Sequence, residues 1–181
     1  INSVILENGE IIPYTKAIVA PGIDFKYDKG YIEGSEAYAP HAYKAGEHTV
    51  LLSEQLQNMK DGGTFVMVAP NNPFRCPPGP YERVSLVAHY LKHNKPNSKI
   101  IILDQKNNFS KQGLFQEGWE KLYKGMIDWR SSEFGGKVIS VNPKTKVIKT
   151  EDGEIQADVL NYIPEQKAGK LAFDSGLVDG D

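Results

Sequence analysis

The run Thr64-Phe65-Val66-Met67-Val68-Ala69 narrows the possible folds more than any other segment of the chain. Its apolar residues are continuous rather than alternating, the pattern of a strand buried on both faces. Strands of that kind belong to parallel sheets covered on each side, and the neighbouring segments agree. Asp61-Gly62-Gly63 breaks the chain before it, and the loop Pro70–Gly79 follows. From Pro80 a helical period runs through Val84, Val87, Ala88 and Leu91, ending near His93-Asn94 before Pro96. Proline suits a first helical turn, where its missing N–H would have no partner. Lys99–Leu103 repeats the buried-strand pattern and is closed by Asp104. Strand, helix, strand in this order predicts a parallel α/β sheet.

The flanks extend the pattern. Ala45–Met59 reads as a helix with Val50, Leu51, Leu52, Leu56 and Met59 on one side, and Leu114–Tyr123 as a shorter one. After it come β-prone runs at Met126–Trp129, Lys137–Asn142 and Lys146–Thr150, a turn at Glu151-Asp152-Gly153-Glu154, and a last run, Ile155–Ile163. The expected fold is a Rossmann-like three-layer α/β domain, a parallel sheet plus an antiparallel β-meander. At the other end, Ser3–Glu7 and Ile11-Ile12 flank Asn8-Gly9, a strong hairpin signal. Ala17–Ala20 reads as a short buried strand stopped by Pro21-Gly22, and residues 23–46 as a long connection. Val4–Pro21 echoes Val147–Pro164, each a strand, a Gly turn and a second run ending at proline. The echo is either a likeness between hairpins or the trace of two related domains.

Composition excludes several roles. With 21 basic and 23 acidic side chains the net charge is −2, which gives no electrostatic case for nucleic acid. The longest apolar runs are too short to cross a bilayer. No charged-then-apolar leader opens these residues. A single cysteine, Cys76, permits no disulfide and no Cys-rich metal site within them.

The chemistry concentrates in Pro70–Arg83. A dinucleotide-binding fold would place its glycine-rich phosphate loop here, between a buried strand and a helix N-terminus. This loop has only Gly79, and prolines, which lack N–H donors, fill much of the rest. Asp104 ends the next strand where an acidic residue would hold a ribose; without the glycines it reads as a solvated carboxylate. Cys76 is either a small buried hydrophobe or a reactive thiol favoured by Arg75 and the helix N-terminus, and the residues leave both open. Glu82 is a dipole partner in the first helical turn, or a proton acceptor six residues past the sulfur. His89 and His93 share a helix face, but without an H-E-x-x-H arrangement they read as solvated, and no metal site is expected from the four histidines.

At Phe74-Arg75-Cys76-Pro77-Pro78-Gly79-Pro80-Tyr81-Glu82-Arg83 the chain resembles the flavoprotein subunit of flavocytochrome c sulfide dehydrogenase. That family is a branch of the pyridine nucleotide-disulfide oxidoreductase superfamily, related to sulfide:quinone reductases. Ala20–Phe25 with Tyr27-Asp28, Pro40–Thr49, Ile100–Asp104, Phe109–Gln112, Gly118–Tyr123 and Ala157–Pro164 are similar as well. One departure is Tyr43, where the family commonly has tryptophan.

The resemblance implies a piece of a longer chain. Residues 1–48 would be the tail of an FAD-binding domain and a linker, 49–165 a second, NAD-binding-like α/β domain, and 166–181 the start of a return to the FAD domain. It implies that the cysteine matching Cys76 forms a redox disulfide with a cysteine further downstream. Glu82 would be its acid/base, and Arg75 either local positive charge or a structural residue. Pro21, Gly22, Asp24, Asn161 and Pro164 would approach the FAD. Sulfide would be the substrate, a c-type cytochrome subunit or a quinone the electron acceptor, and the periplasm the location. The piece alone is expected neither to hold FAD tightly nor to turn over. Two other readings stand beside this one: an NAD(P)H- or quinone-dependent oxidoreductase of the same superfamily, and a non-catalytic domain that docks an electron-transfer partner.

Overall fold

The computed structural model describes residues 2–178. In chain order its elements are β1 (Ser3–Ile5), β2 (Ile11–Pro13), β3 (Ile23–Lys26), a 3-10 turn at Ser35–Ala37, α1 (Glu47–Asn58), β4 (Thr64–Ala69), α2 (Gly79–Asn94), β5 (Lys99–Asp104), α3 (Gln112–Leu122), β6 (Ile127–Arg130), β7 (Val138–Asn142), β8 (Val147–Thr150), β9 (Gly153–Gln156), β10 (Val159–Tyr162), β11 (Glu165–Ala168) and α4 (Lys170–Asp174). They fall into two compact units, Ile1–Asp24 with Ala168–Asp181, and Phe25–Lys167. Residues 25–48 therefore pack with the larger unit. Ile1 and residues 179–181, the outer ends of the expected segments 1–48 and 166–181, lie outside the described residues.

The larger unit is the expected α/β fold. Its parallel sheet has the order β10-β4-β5-β6, with Thr64–Ala69 in register with Lys99–Asp104. β4 is a central strand, which is why its apolar run is continuous: Phe65, Val66, Met67, Val68 and Ala69 are all buried. The antiparallel meander β7-β8-β9 covers one face, where Val66, Val68, Leu103 and Leu160 pack with Val138, Val141 and Ile148. Alternation turns Phe65 and Met67 to the opposite face. There α2 lies against β4 and buries Tyr81, Val84, Val87, Ala88 and Leu91. The C-terminal end of α1 is closed by a distant residue. The Lys95 ammonium donates to the carbonyl oxygens of Leu56 (2.7 Å), Gln57 (2.6 Å) and Met59, partnering carbonyls that the helix itself leaves unpaired.

Two expectations are corrected here. Ile155–Ile163 is not one strand: β9 ends at Gln156 and β10 starts at Val159, and the two belong to different sheets. The Asp158 carboxylate accepts from the Thr64 N–H at 2.7 Å, turning the chain from the meander to the start of β4. Asp104 is not solvated. It is fully buried, accepting from Tyr81 Oη (2.5 Å), Trp129 Nε1 (3.0 Å) and Lys106 Nζ (2.6 Å).

In the smaller unit β1 and β2 form the expected hairpin, with Gly9 at φ +85° and Asn8 Oδ1 accepting from the Glu10 N–H. Ala17–Ala20 is not a buried strand. Ile18 is 97% exposed and no strand pairs with this run among the described residues, so its apolar character produces no β structure. The echo between Val4–Pro21 and Val147–Pro164 thus holds for the hairpins only. No helix of the described residues is long and apolar enough to cross a membrane.

Candidate functional site

Ligands of open α/β sheets bind outside the carboxyl ends of the strands, where neighbouring connections depart in opposite directions. In this sheet that point lies between β4 and β10: from β4 the chain continues to β5 on one side, while β10 occupies the other. The two segments leaving it are 70–78, with Cys76, and 163–166.

Side chains from β11 hold the first segment at both ends. Glu165 Oε1 accepts from the backbone N–H and the side-chain amide of Asn71, both at 3.1 Å, and Gln166 Oε1 accepts from the Arg75 N–H at 2.7 Å. Cys76 then takes a left-handed conformation, φ +58°, and its carbonyl accepts from the Gly79 N–H at 2.8 Å. This turn carries the sulfur back over the start of α2. A Cβ on Gly79 would stand 3.1 Å from Cys76 Sγ and 2.8 Å from Tyr43 Oη, so a larger residue would have to displace one or both. The thiol is free and exposed. It lies at the N-terminus of a sixteen-residue helix.

Tyr43 holds the loop from the other side. Its hydroxyl lies 2.8 Å from the carbonyl oxygen of Arg75 and 3.0 Å from that of Cys76. Burial is the main reason its pKa is pushed above the usual phenol range, so it remains an O–H donor. Two guanidinium groups lie over its ring, Arg75 at 5.9 Å and Arg83 at 5.6 Å from the centroid. Arg75 returns a hydrogen bond to the Tyr43 carbonyl. Arg83 donates to the carbonyls of His41 (2.8 Å) and Ala42 and to Asn161 Oδ1 (3.0 Å). Its partners are all neutral, and burial holds its pKa below the usual value. His41, buried beneath, accepts the Tyr43 N–H on Nδ1 at 3.0 Å, so the neutral ring carries its proton on Nε2, 3.3 Å from His48 Nδ1. Burial first, and His48 second, lower its pKa to about 4.

The other residues singled out from sequence are placed as follows. Glu82 is exposed in the first turn of α2, where its N–H donates to the Pro78 carbonyl at 3.0 Å and its carboxylate makes no hydrogen bond or ion pair among the described residues. Three residues on from Gly79, it shares the helix face over which the sulfur lies. Asn161 is fully buried. Its amide hydrogens go to the Pro40 (2.7 Å) and His41 (3.0 Å) carbonyls and its oxygen to Arg83. Its side chain thus ties 40–41 to α2. Pro164 is buried just beyond β10. In the smaller unit Pro21 and Gly22 are exposed, with Gly22 O accepting from the Gly169 N–H at 3.0 Å, and Asp24 is half-buried. His89 and His93 face solvent. Among the described residues no group of three or more His, Cys, Asp or Glu is arranged to hold a metal.

Tyr43 and Gln166 are the contacts of the loop that sequence reasoning missed, and Arg83 supports Tyr43 from behind. Gln166 Nε2 is buried with no acceptor among the described residues. An amide donor in that position fits a ligand bearing carbonyl or ring-nitrogen acceptors.

A family model described as "Sulfide dehydrogenase [flavocytochrome c] flavoprotein chain, central" matches residues 49–164, well over half of the chain.

Proposed function

The chain belongs to the family of the central region of the sulfide dehydrogenase (flavocytochrome c) flavoprotein chain, and from that membership we propose that it carries one sulfur of the redox disulfide with which such an enzyme oxidises sulfide. At the coarse level the family is that of a flavoprotein oxidoreductase. The observation that carries the finer reading is the placement of Cys76: the lone cysteine is exposed on the loop between β4 and α2, at the carboxyl edge of the parallel sheet, with its sulfur over a helix N-terminus.

In this reading Cys76 is joined in a disulfide to a cysteine outside these residues. Hydrosulfide attacks one disulfide sulfur; the new S–S bond forms to the substrate, the cysteine–cysteine bond breaks, and the second cysteine leaves as thiolate. The N-terminus of α2 stabilises negative charge on Cys76, and Glu82 takes the proton of the incoming substrate. The bound substrate sulfur is then released at the zero-valent level as the disulfide re-forms. FAD, when bound, supplies the two-electron acceptor for that step, and a c-type cytochrome subunit the onward route. Gln166, with its unmatched amide hydrogen, suits a group as rich in acceptors as a flavin. On the family resemblance, Pro21, Gly22, Asp24, Asn161 and Pro164 are its remaining proposed contacts. The periplasm is the proposed location, on resemblance alone.

A partner-docking domain without catalysis would have Cys76 buried, and it is exposed. An NAD(P)H-dependent enzyme would need phosphate-binding N–H groups where Pro73, Pro77 and Pro78 stand. The test uses the complete flavoprotein chain carrying this segment: Cys76→Ser is expected to abolish sulfide-dependent reduction of the flavin. Reduction at the unaltered rate would overturn the proposal.

A further inference from the structure

We infer that Tyr43 and Gln166 are the positioning residues of Cys76, a two-sided clamp that sets where its sulfur points. The inference rests on the reading of Cys76 as the reacting cysteine, and deepens it. Three observations carry it.

First, a cysteine at φ +58° holds a conformation that side chains other than glycine's adopt reluctantly, so neighbouring contacts must keep it there. Second, those contacts act on the peptide units that flank the αL turn. Gln166 Oε1 accepts from the N–H of Arg75, and the Tyr43 hydroxyl meets the carbonyls of Arg75 and Cys76. The Gln166 acceptor holds the peptide unit before Arg75 and the Tyr43 hydroxyl the unit after it, so both planes leading into Cys76 are fixed and the sulfur follows from the φ that comes after them. Third, the clamp is incomplete in a directed way. The Arg75 N–H can face only the oxygen of the Gln166 amide, so the orientation of that amide is settled and Nε2 is the end left over. Gln166 is 9% exposed and its Nε2 has no acceptor among the described residues. An acceptor on the ligand, reached as the exposed loop yields, completes the clamp.

Tyr43 is well placed for this role because its own position is over-determined. Its N–H is bound by His41, its carbonyl by Arg75, and its ring by two guanidinium groups. Tyr43→Phe removes one oxygen and leaves all of these in place. Tyr43→Trp restores a ring N–H donor on an aromatic plane.

The experiment compares wild type, Tyr43→Phe, Tyr43→Trp, Gln166→Leu and Cys76→Ser in the complete flavin-loaded protein. Two quantities are read: the rate of sulfide-dependent flavin reduction, separated into kcat and KM, and the rate of iodoacetamide labelling of reduced Cys76 across pH, followed by mass spectrometry. Tyr43→Phe and Gln166→Leu are each expected to lower kcat about tenfold or more with little change in KM, since misplacing a reacting atom acts on the chemical step. Both should also change the labelling rate, and Tyr43→Trp should recover most of the loss. Tyr43→Phe and Gln166→Leu within twofold of wild type in both readings would overturn the clamp, provided Cys76→Ser is inactive. An active Cys76→Ser would instead overturn the underlying reading of Cys76. Loss in Tyr43→Phe without recovery in Tyr43→Trp, and with unchanged labelling, would assign Tyr43 a different role and overturn the inference as well.

Discussion

The hydroxyl of Tyr81 donates to Asp104 Oδ2 at 2.5 Å, joining the first turn of α2 to the end of β5 beneath the Cys76 loop. Burial first and the Asp104 charge second push the Tyr81 pKa far above the phenol range, so the proton stays on the tyrosine. Trp129 Nε1 and Lys106 Nζ complete the shell of a carboxylate with no exposed surface. Where a dinucleotide fold keeps its ribose-binding acid free, this chain uses the acid to fasten helix, strand and loop together.

Asp104→Asn is therefore expected to destabilise the fold by about 3 kcal/mol, because Lys106 loses its charge partner in a buried place. Urea unfolding measures it. Asp104→Asn within about 0.5 kcal/mol of wild type would contradict the structural role.

His41 makes stability depend on pH. Its pKa falls from 6.5 to about 4 on folding, so between those values the unfolded chain binds a proton that the folded one refuses. The contribution is complete above pH 6.5 and is lost as pH drops toward 4, a loss of about 3 kcal/mol. His41→Asn keeps an acceptor for the Tyr43 N–H and removes the titration. Denaturant midpoints at pH 7 and 4.5 should lie closer together in this variant than in wild type.

Gly79→Ala places a methyl group 2.8 Å from Tyr43 Oη and 3.1 Å from Cys76 Sγ. The expected cost is about 1–3 kcal/mol, with a changed labelling rate at Cys76 as the sulfur is displaced. A variant as stable as wild type and labelled at the same rate would mean that the loop does not pack as described.

Glu82→Gln separates chemistry from folding. An exposed carboxylate in a first helical turn contributes only a few tenths of a kcal/mol through the helix dipole, so stability should barely change. With Glu82 as the acceptor of the substrate proton, the rate of sulfide-dependent flavin reduction should fall about a hundredfold. An unaltered rate would leave Glu82 as a dipole partner and nothing more.

Much of the larger unit was legible because its signals are local. β4 and β5 announce themselves as continuous apolar runs and α2 as a helical period, and the loop between them was located with its cysteine and its missing glycines. Periodicity is a property of neighbouring residues, and parallel strand–helix–strand packing follows from it by rules that hold across folds. The same reasoning failed where apolar character depended on a partner. Ala17–Ala20 has the composition of a strand and nothing to pair with among the described residues, while Ile155–Ile163 has to leave one sheet and enter another at Asp158.

The sequence by itself determined the α/β class, the place of the reactive loop and, through its decapeptide, the family resemblance. Tertiary structure alone decided how that loop is held. Tyr43 reaches Cys76 across 33 residues and Gln166 reaches Arg75 across 91; Lys95 closes α1 from 36 residues beyond Met59; Asp104 is buried because Tyr81, Lys106 and Trp129 converge on it. None of these pairings has a spacing rule, because each hydrogen bond forms between groups that are near only after the sheet has brought its strand ends together.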